Sequence, residues 1–123
     1  MLLATFKRSI DFSKILSAIS DERKPCVITG SSDAISFRTN CDDGSLSVLA
    51  LLKINAFSRY YCTIPFAIAV DFTKFRYMCC ECDVDGTLVT LEVANYSKCL
   101  RVIVNDATTI STYGAYYFVI LLH

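Results

Sequence analysis

The sequence predicts an α+β fold built from antiparallel strands with a small number of helices. Three observations carry that expectation. Most of the chain reads as short runs in which apolar and polar residues alternate, each bounded by turn formers. Only two stretches show helical periodicity, Ile10 to Ser20 and the run after Asp71. These two are separated by several strands, so the strand–helix alternation of a parallel sheet is missing.

Leu2 to Lys7 reads as a first strand. In the segment that follows, Phe12, Ile15, Leu16 and Ile19 lie at the spacing of one helical face. Ser13, Lys14, Ser17 and Ser20 fall on the opposite face. Ser9 or Asp11 is the expected N-cap, and Pro25 ends the helix after the charged turn at 21–24. Cys26 to Thr29 is a short apolar strand, followed by a turn at Gly30 to Asp33. Ile35 and Phe37 alternate with Ser36 and Arg38. After a turn at Asp42 to Gly44, Leu46, Val48, Ala50, Leu52 and Ile54 share one strand face. Leu49 and Leu51 occupy the other, so this strand is expected to be covered on both sides. Phe57 to Cys62 and Phe66 to Val70 are two strands separated at Pro65. Phe72, Phe75, Cys79 and Cys82 then share a helical face, with Asp71 as N-cap and with Lys74 and Arg76 pointing elsewhere. Thr87, Val89, Leu91 and Val93 alternate with Leu88, Thr90, Glu92 and Ala94 in a period of two, and Leu100, Val102 and Val104 do the same. Asn105 and Asp106 form a hairpin turn, and Thr109 to Leu122 is the last strand region. The order of strand, helix and strands occurs twice, a weak internal repeat.

A chain of 123 residues is one domain of ordinary size. A hydrophobic content of 54% is too high for disorder. Twelve basic and twelve acidic side chains cancel, so any nucleic-acid contact must come from a local patch. The opening MLLATFKRS has too short an apolar stretch for a secretory signal, and the longest apolar run, Ala115 to Leu122, is the length of a strand and not of a membrane span. The seven cysteines are then expected as reduced thiols, with Cys26, Cys62 and Cys99 packed as small hydrophobes.

The inventory argues against an enzyme. A Ser–His or Cys–His pair would depend on His123, the single histidine. Cys79 and Cys82 have C-x-x-C spacing, but a structural zinc site needs four ligands and no second pair exists. Asp42, Asp43, Asp83 and Asp85 sit in turns, where aspartate is favoured for backbone reasons. No glycine-rich phosphate loop is present. No cofactor or metal is expected.

Taken together in their order and spacing, FSKILSAISD, AISFRTN, FSRYYC, AVDFTKF and TLVTLEVANYSKCLRVIVND resemble one domain of the DNA sliding clamps. That family includes proliferating cell nuclear antigen and the heterotrimeric DNA-damage checkpoint clamp. LATFKRSIDFSKILSAI and NDATTIST are most similar to the Rad-one type of checkpoint subunit. The resemblance covers essentially the whole chain and implies a single clamp domain over residues 1–123, with two amphipathic helices packed on a curved antiparallel sheet. It corresponds to the first half of a two-domain subunit, so the chain is expected to be part of a longer clamp protein or a stand-alone half.

The resemblance further implies a nuclear, non-enzymatic ring component acting in the DNA-damage checkpoint and repair. Its partners would be other clamp subunits, double-stranded DNA passing through the ring, a clamp loader, and repair and signalling proteins, with no membrane. Lys14, Lys74 and Arg76 would face DNA. Tyr113, Tyr116, Tyr117, Phe118 and Val119, on an apolar edge strand, would form the subunit interface. A replication clamp is the alternative within the family, and an unrelated interaction module or truncated product the alternative outside it.

Overall fold

The computed structural model describes residues 1–19, 25–40, 45–72, 86–94, 98–106 and 108–119. In chain order these form β1 (Leu2–Phe6), α1 (Ser9–Ala18), β2 (Cys26–Gly30), β3 (Ala34–Asn40), β4 (Leu46–Lys53), a 3-10 turn (Ile54–Ala56), β5 (Phe57–Cys62), β6 (Phe66–Val70), β7 (Leu88–Val93), β8 (Cys99–Asn105) and β9 (Ile110–Val119). The strands make one nine-stranded sheet in the order β4-β3-β2-β6-β9-β8-β7-β1-β5. Every pairing among them is antiparallel, as the alternating patterns require. The second helix expected after Asp71, with Lys74 and Arg76, falls outside the described residues, which contain one α-helix.

The sheet has two halves joined by β9. Ile110 to Tyr116 pair with Asn105 to Cys99 of β8, while Tyr117 to Val119 pair with Val70 to Ile68 of β6. The expected edge strand is therefore only partly an edge. Its C-terminal end pairs with β6, whereas the side of Ile110–Tyr116 turned away from β8 pairs with no strand among the described residues.

The apolar positions of alternate residues meet on one side of the sheet. Ala4, Phe6, Ile28, Ile35, Phe37, Ile68, Val70, Val89, Leu91, Leu100 and Val102 are all buried there. Helix α1 adds Phe12, Ile15 and Leu16 to this core. A run of rings links the helix to the sheet: Phe72–Phe12 at 6.3 Å, Phe12–Phe6 at 5.5 Å, Phe6–Phe57 at 5.0 Å and Phe57–Tyr60 at 5.1 Å between centroids. Tilted and edge-on rings at these separations add to their area burial. Phe72, placed by periodicity on the second helix, is buried against α1 through this edge contact.

Two expectations about α1 are corrected. Its N-cap is Arg8, which makes no side-chain capping bond, so neither Ser9 nor Asp11 caps it. Ser13 is buried rather than on the polar face. The core wraps the helix over a wider arc than the four-residue apolar stripe suggests, and a small hydroxyl side chain fits there at little cost.

The expectation that β4 is covered on both sides is also overturned, because Val48 and Leu51 are exposed; among the described residues β4 also stands at the edge of the sheet. Its register with β3 shifts between Phe37 and Arg38, so that Phe37 pairs with Ala50 and Arg38 with Val48, with Leu49 as the extra residue. The bulge breaks the strict alternation. Leu49, Ala50 and Leu52 pack against the core, while Val48 and Leu51 stay 54% and 61% exposed.

Candidate DNA-facing helix and subunit edges

Helix α1 presents Lys14, Ser17 and Ala18 to solvent, opposite its buried face. The Ser17 hydroxyl is partly used inside the helix, donating to the Ser13 carbonyl at 3.0 Å. Lys7 and Arg8, which lead into the helix, are exposed as well. The Lys7 amide donates to the Ala56 carbonyl at 3.1 Å, fixing the approach of this segment. Two cations at the N-terminal end of a helix add to the positive end of its dipole and favour anions there. Lys7 and Arg8 were missed in the sequence because the pair reads as the end of a strand. The signal that could have found them is the KRS run directly ahead of the apolar helical stripe.

The expected interface residues divide by strand face. Tyr116 is 82% exposed on the outer face. Tyr113 and Tyr117 are half-buried and pack against the core from the other face. The Tyr117 amide donates to the Lys98 carbonyl at 3.0 Å, where β9 passes from β8 to β6. Phe118 and Val119 lie at the end of β9, in register with Ala69 and Ile68. All five lie along one strand, β9. A strand sends alternate side chains to opposite faces, so Tyr116 projects from one face of β9 and Tyr113 and Tyr117 from the other.

On the outer face, the Glu92 carboxylate of β7 and the Arg101 guanidinium of β8 form an ion pair across the strands, and Thr5 and Thr90 share a hydroxyl hydrogen bond of 2.8 Å. Thr29 and Ser36 make the same kind of hydroxyl contact between β2 and β3. Cys26 and Cys62 are free thiols. Burial pushes the Cys26 thiol up to about 12, which suits packing and not nucleophilic chemistry. Among the described residues no group of acidic, cysteine and histidine side chains could hold a metal ion. No described helix is long and apolar enough to cross a membrane.

No protein-family model matches the chain, and no curated protein matches it. Solved structures do match it. A crystal structure of PCNA from Thermococcus kodakaraensis superposes on 96% of this chain with a TM-score of 0.79 and 16% sequence identity. This chain spans 47% of the length of that one. The antiparallel sheet with α1 packed on it thus has the architecture of a PCNA-like clamp domain.

Proposed function

We propose that this chain is a domain of a ring-shaped sliding clamp, a non-enzymatic scaffold that encircles double-stranded DNA. The observation that carries the reading is the likeness of nearly the whole chain to a PCNA domain. Ring assembly with other clamp subunits would use the open edge of β4 and the free side of Ile110–Tyr116 in β9. Contacts of this kind are head-to-tail and close when the rotation per copy allows. Lys7, Arg8 and Lys14 would meet phosphates, and the family resemblance adds Lys74 and Arg76 to this set. Such contacts are sequence-independent and weaken as salt rises. A clamp loader would place the ring on DNA.

Within the family, the similarity of LATFKRSIDFSKILSAI and NDATTIST to the Rad-one type favours a nuclear role in the DNA-damage checkpoint and repair, where the ring recruits repair and signalling proteins. The thin basic lining fits a heterotrimer whose sister subunits share the DNA contacts. A replication clamp accounts equally well for the fold. The two readings part on assembly. A checkpoint subunit should form a stoichiometric ring only when mixed with its two sister subunits, whereas a replication clamp should close with copies of itself and raise polymerase processivity. Retention on nicked circular DNA tests both, and Lys7→Glu, Arg8→Glu and Lys14→Glu together should weaken it. Failure to assemble under either condition, with no DNA retention, would refute the clamp reading.

A further inference from the structure

Three strand edges are open among the described residues: β4, the first part of β9, and β5. The proposed ring uses the first two. For the third, we infer that β5 is a self-association edge: a second copy of this chain adds antiparallel about a twofold axis at Tyr60, so that each Arg59 lies against the Tyr61 of the other copy.

The backbone geometry permits this pairing. The Thr63 amide donates to the Met1 carbonyl at 3.1 Å, and Tyr61 stands opposite Leu3 in register. Backbone groups alternate in direction along a strand. Tyr61 therefore turns its N–H and C=O toward β1, and Tyr60 and Cys62 turn theirs to the open side. A twofold at Tyr60 sets the two Tyr60 residues opposite each other as a hydrogen-bonded pair, and the regular register runs from Arg59 onward, because β5 bulges at Ser58. Arg59 then faces Tyr61 in the non-hydrogen-bonded position, where facing Cα atoms are about 4.5 Å apart and side chains meet most closely.

The side chains select this register. Arg59 is exposed and Tyr61 is 65% exposed. They stand on the same outer face, beside Thr5 and Leu3 of β1. A guanidinium over a phenol ring is a favourable cation–π contact, and the symmetry makes it twice. A twofold centred on Arg59 would set the two arginines against each other. One centred on Tyr61 would leave Arg59 facing Thr63 and lose both contacts. The strand contains no proline or lysine to block an added strand, and its bulge at Ser58 stands outside the Arg59–Tyr61 stretch that pairs. A contact this short buries little area, so the association is weak and depends on concentration.

Sedimentation velocity of the 123-residue chain over a roughly hundredfold concentration range tests the inference. A reversible dimer is expected. Tyr61→Arg, which opposes arginine to arginine, should weaken dimerisation at least about tenfold. The exchange Arg59→Tyr with Tyr61→Arg restores the complementary pair and should recover dimerisation to within about threefold of the original. Both positions are exposed, so unchanged thermal melts should confirm intact folds. A chain that stays monomeric throughout, a dimer indifferent to Tyr61→Arg, or an exchange that fails to rescue it would each overturn the inference. Association through β4 and β9 would persist in Tyr61→Arg, so ring assembly and the β5 contact are read separately.

Discussion

Replacing Tyr60 by phenylalanine tests how the edge of one half of the sheet is tied to the turn of the other. The Tyr60 hydroxyl donates to the Ser31 carbonyl at 2.6 Å, with the Ala34 carbonyl 3.1 Å away as a second acceptor. The Ala34 carbonyl also accepts from the Ser31 amide at 2.9 Å, so the loss falls mainly on Ser31. A typical hydrogen bond contributes about 1 kcal/mol net, and an acceptor left desolvated costs about 1–3 kcal/mol. Ser31 is half-buried, which places Tyr60→Phe at about 1–2 kcal/mol. Urea unfolding followed by circular dichroism should show a lower midpoint with an unchanged slope.

The pH dependence supplies a second check. Burial, with Cys62 and Asp33 nearby, pushes the Tyr60 phenol from 10.0 up to about 12. A folded pKa above the unfolded one gives stability that is complete below pH 10 and is lost as pH rises through about 12. The gap between the original protein and Tyr60→Phe should therefore narrow over that window. A loss below about 0.3 kcal/mol, small beside the ordinary worth of one hydrogen bond, or a gap constant through the window, would refute the reasoning.

Other outcomes follow from the same structure. At Gly30 an added Cβ would run into the ring of Phe66, its register partner on β6; Gly30→Val should destabilise by about 1–3 kcal/mol in the same urea assay, through overpacking. The Asp106 carboxylate is held down at about 2, chiefly by the Thr108 and Thr109 amides and also by their hydroxyls. Its contribution is present above the ordinary value of 3.8 and is lost as pH falls through about 2, so an acid titration of Asp106→Ala should converge with the original protein at the low end. In peptide-mapped alkylation of the native protein at mildly alkaline pH, Cys26 should react more slowly than the half-buried Cys62 and Cys99.

Much of the fold was legible because burial on one face leaves a trace in the sequence. Val89, Leu91 and Val93, and then Leu100, Val102 and Val104, alternate and are all buried in register on β7 and β8. Phe12, Ile15 and Leu16 gave the buried side of α1 for the same reason. The bulge at Leu49 was not legible. An inserted residue in β4 leaves an apolar run looking continuous while it changes which side chains reach the core. The N-cap was misplaced because serine and aspartate near a helix start satisfy a local rule that this turn does not use. The candidate site was legible only in part. Lys14 was identified as a solvent-facing cation, but Lys7 and Arg8, also exposed, sit where strand becomes helix, and no periodicity marks such a junction.

What the sequence by itself determined is the number and type of most strands, the position of α1 and the inward set of each, because these depend on spacing between near neighbours. The tertiary structure alone decided which strands stand at the edges. β9 looks like a single apolar strand, yet among the described residues Ile110–Tyr116 pair only with β8 and Tyr117–Val119 pair with β6. β4, apolar on both faces, lies at the margin. An edge is defined by a partner that is missing, and the partners of a strand come from residues far away in the chain. No pattern within the strand itself records that.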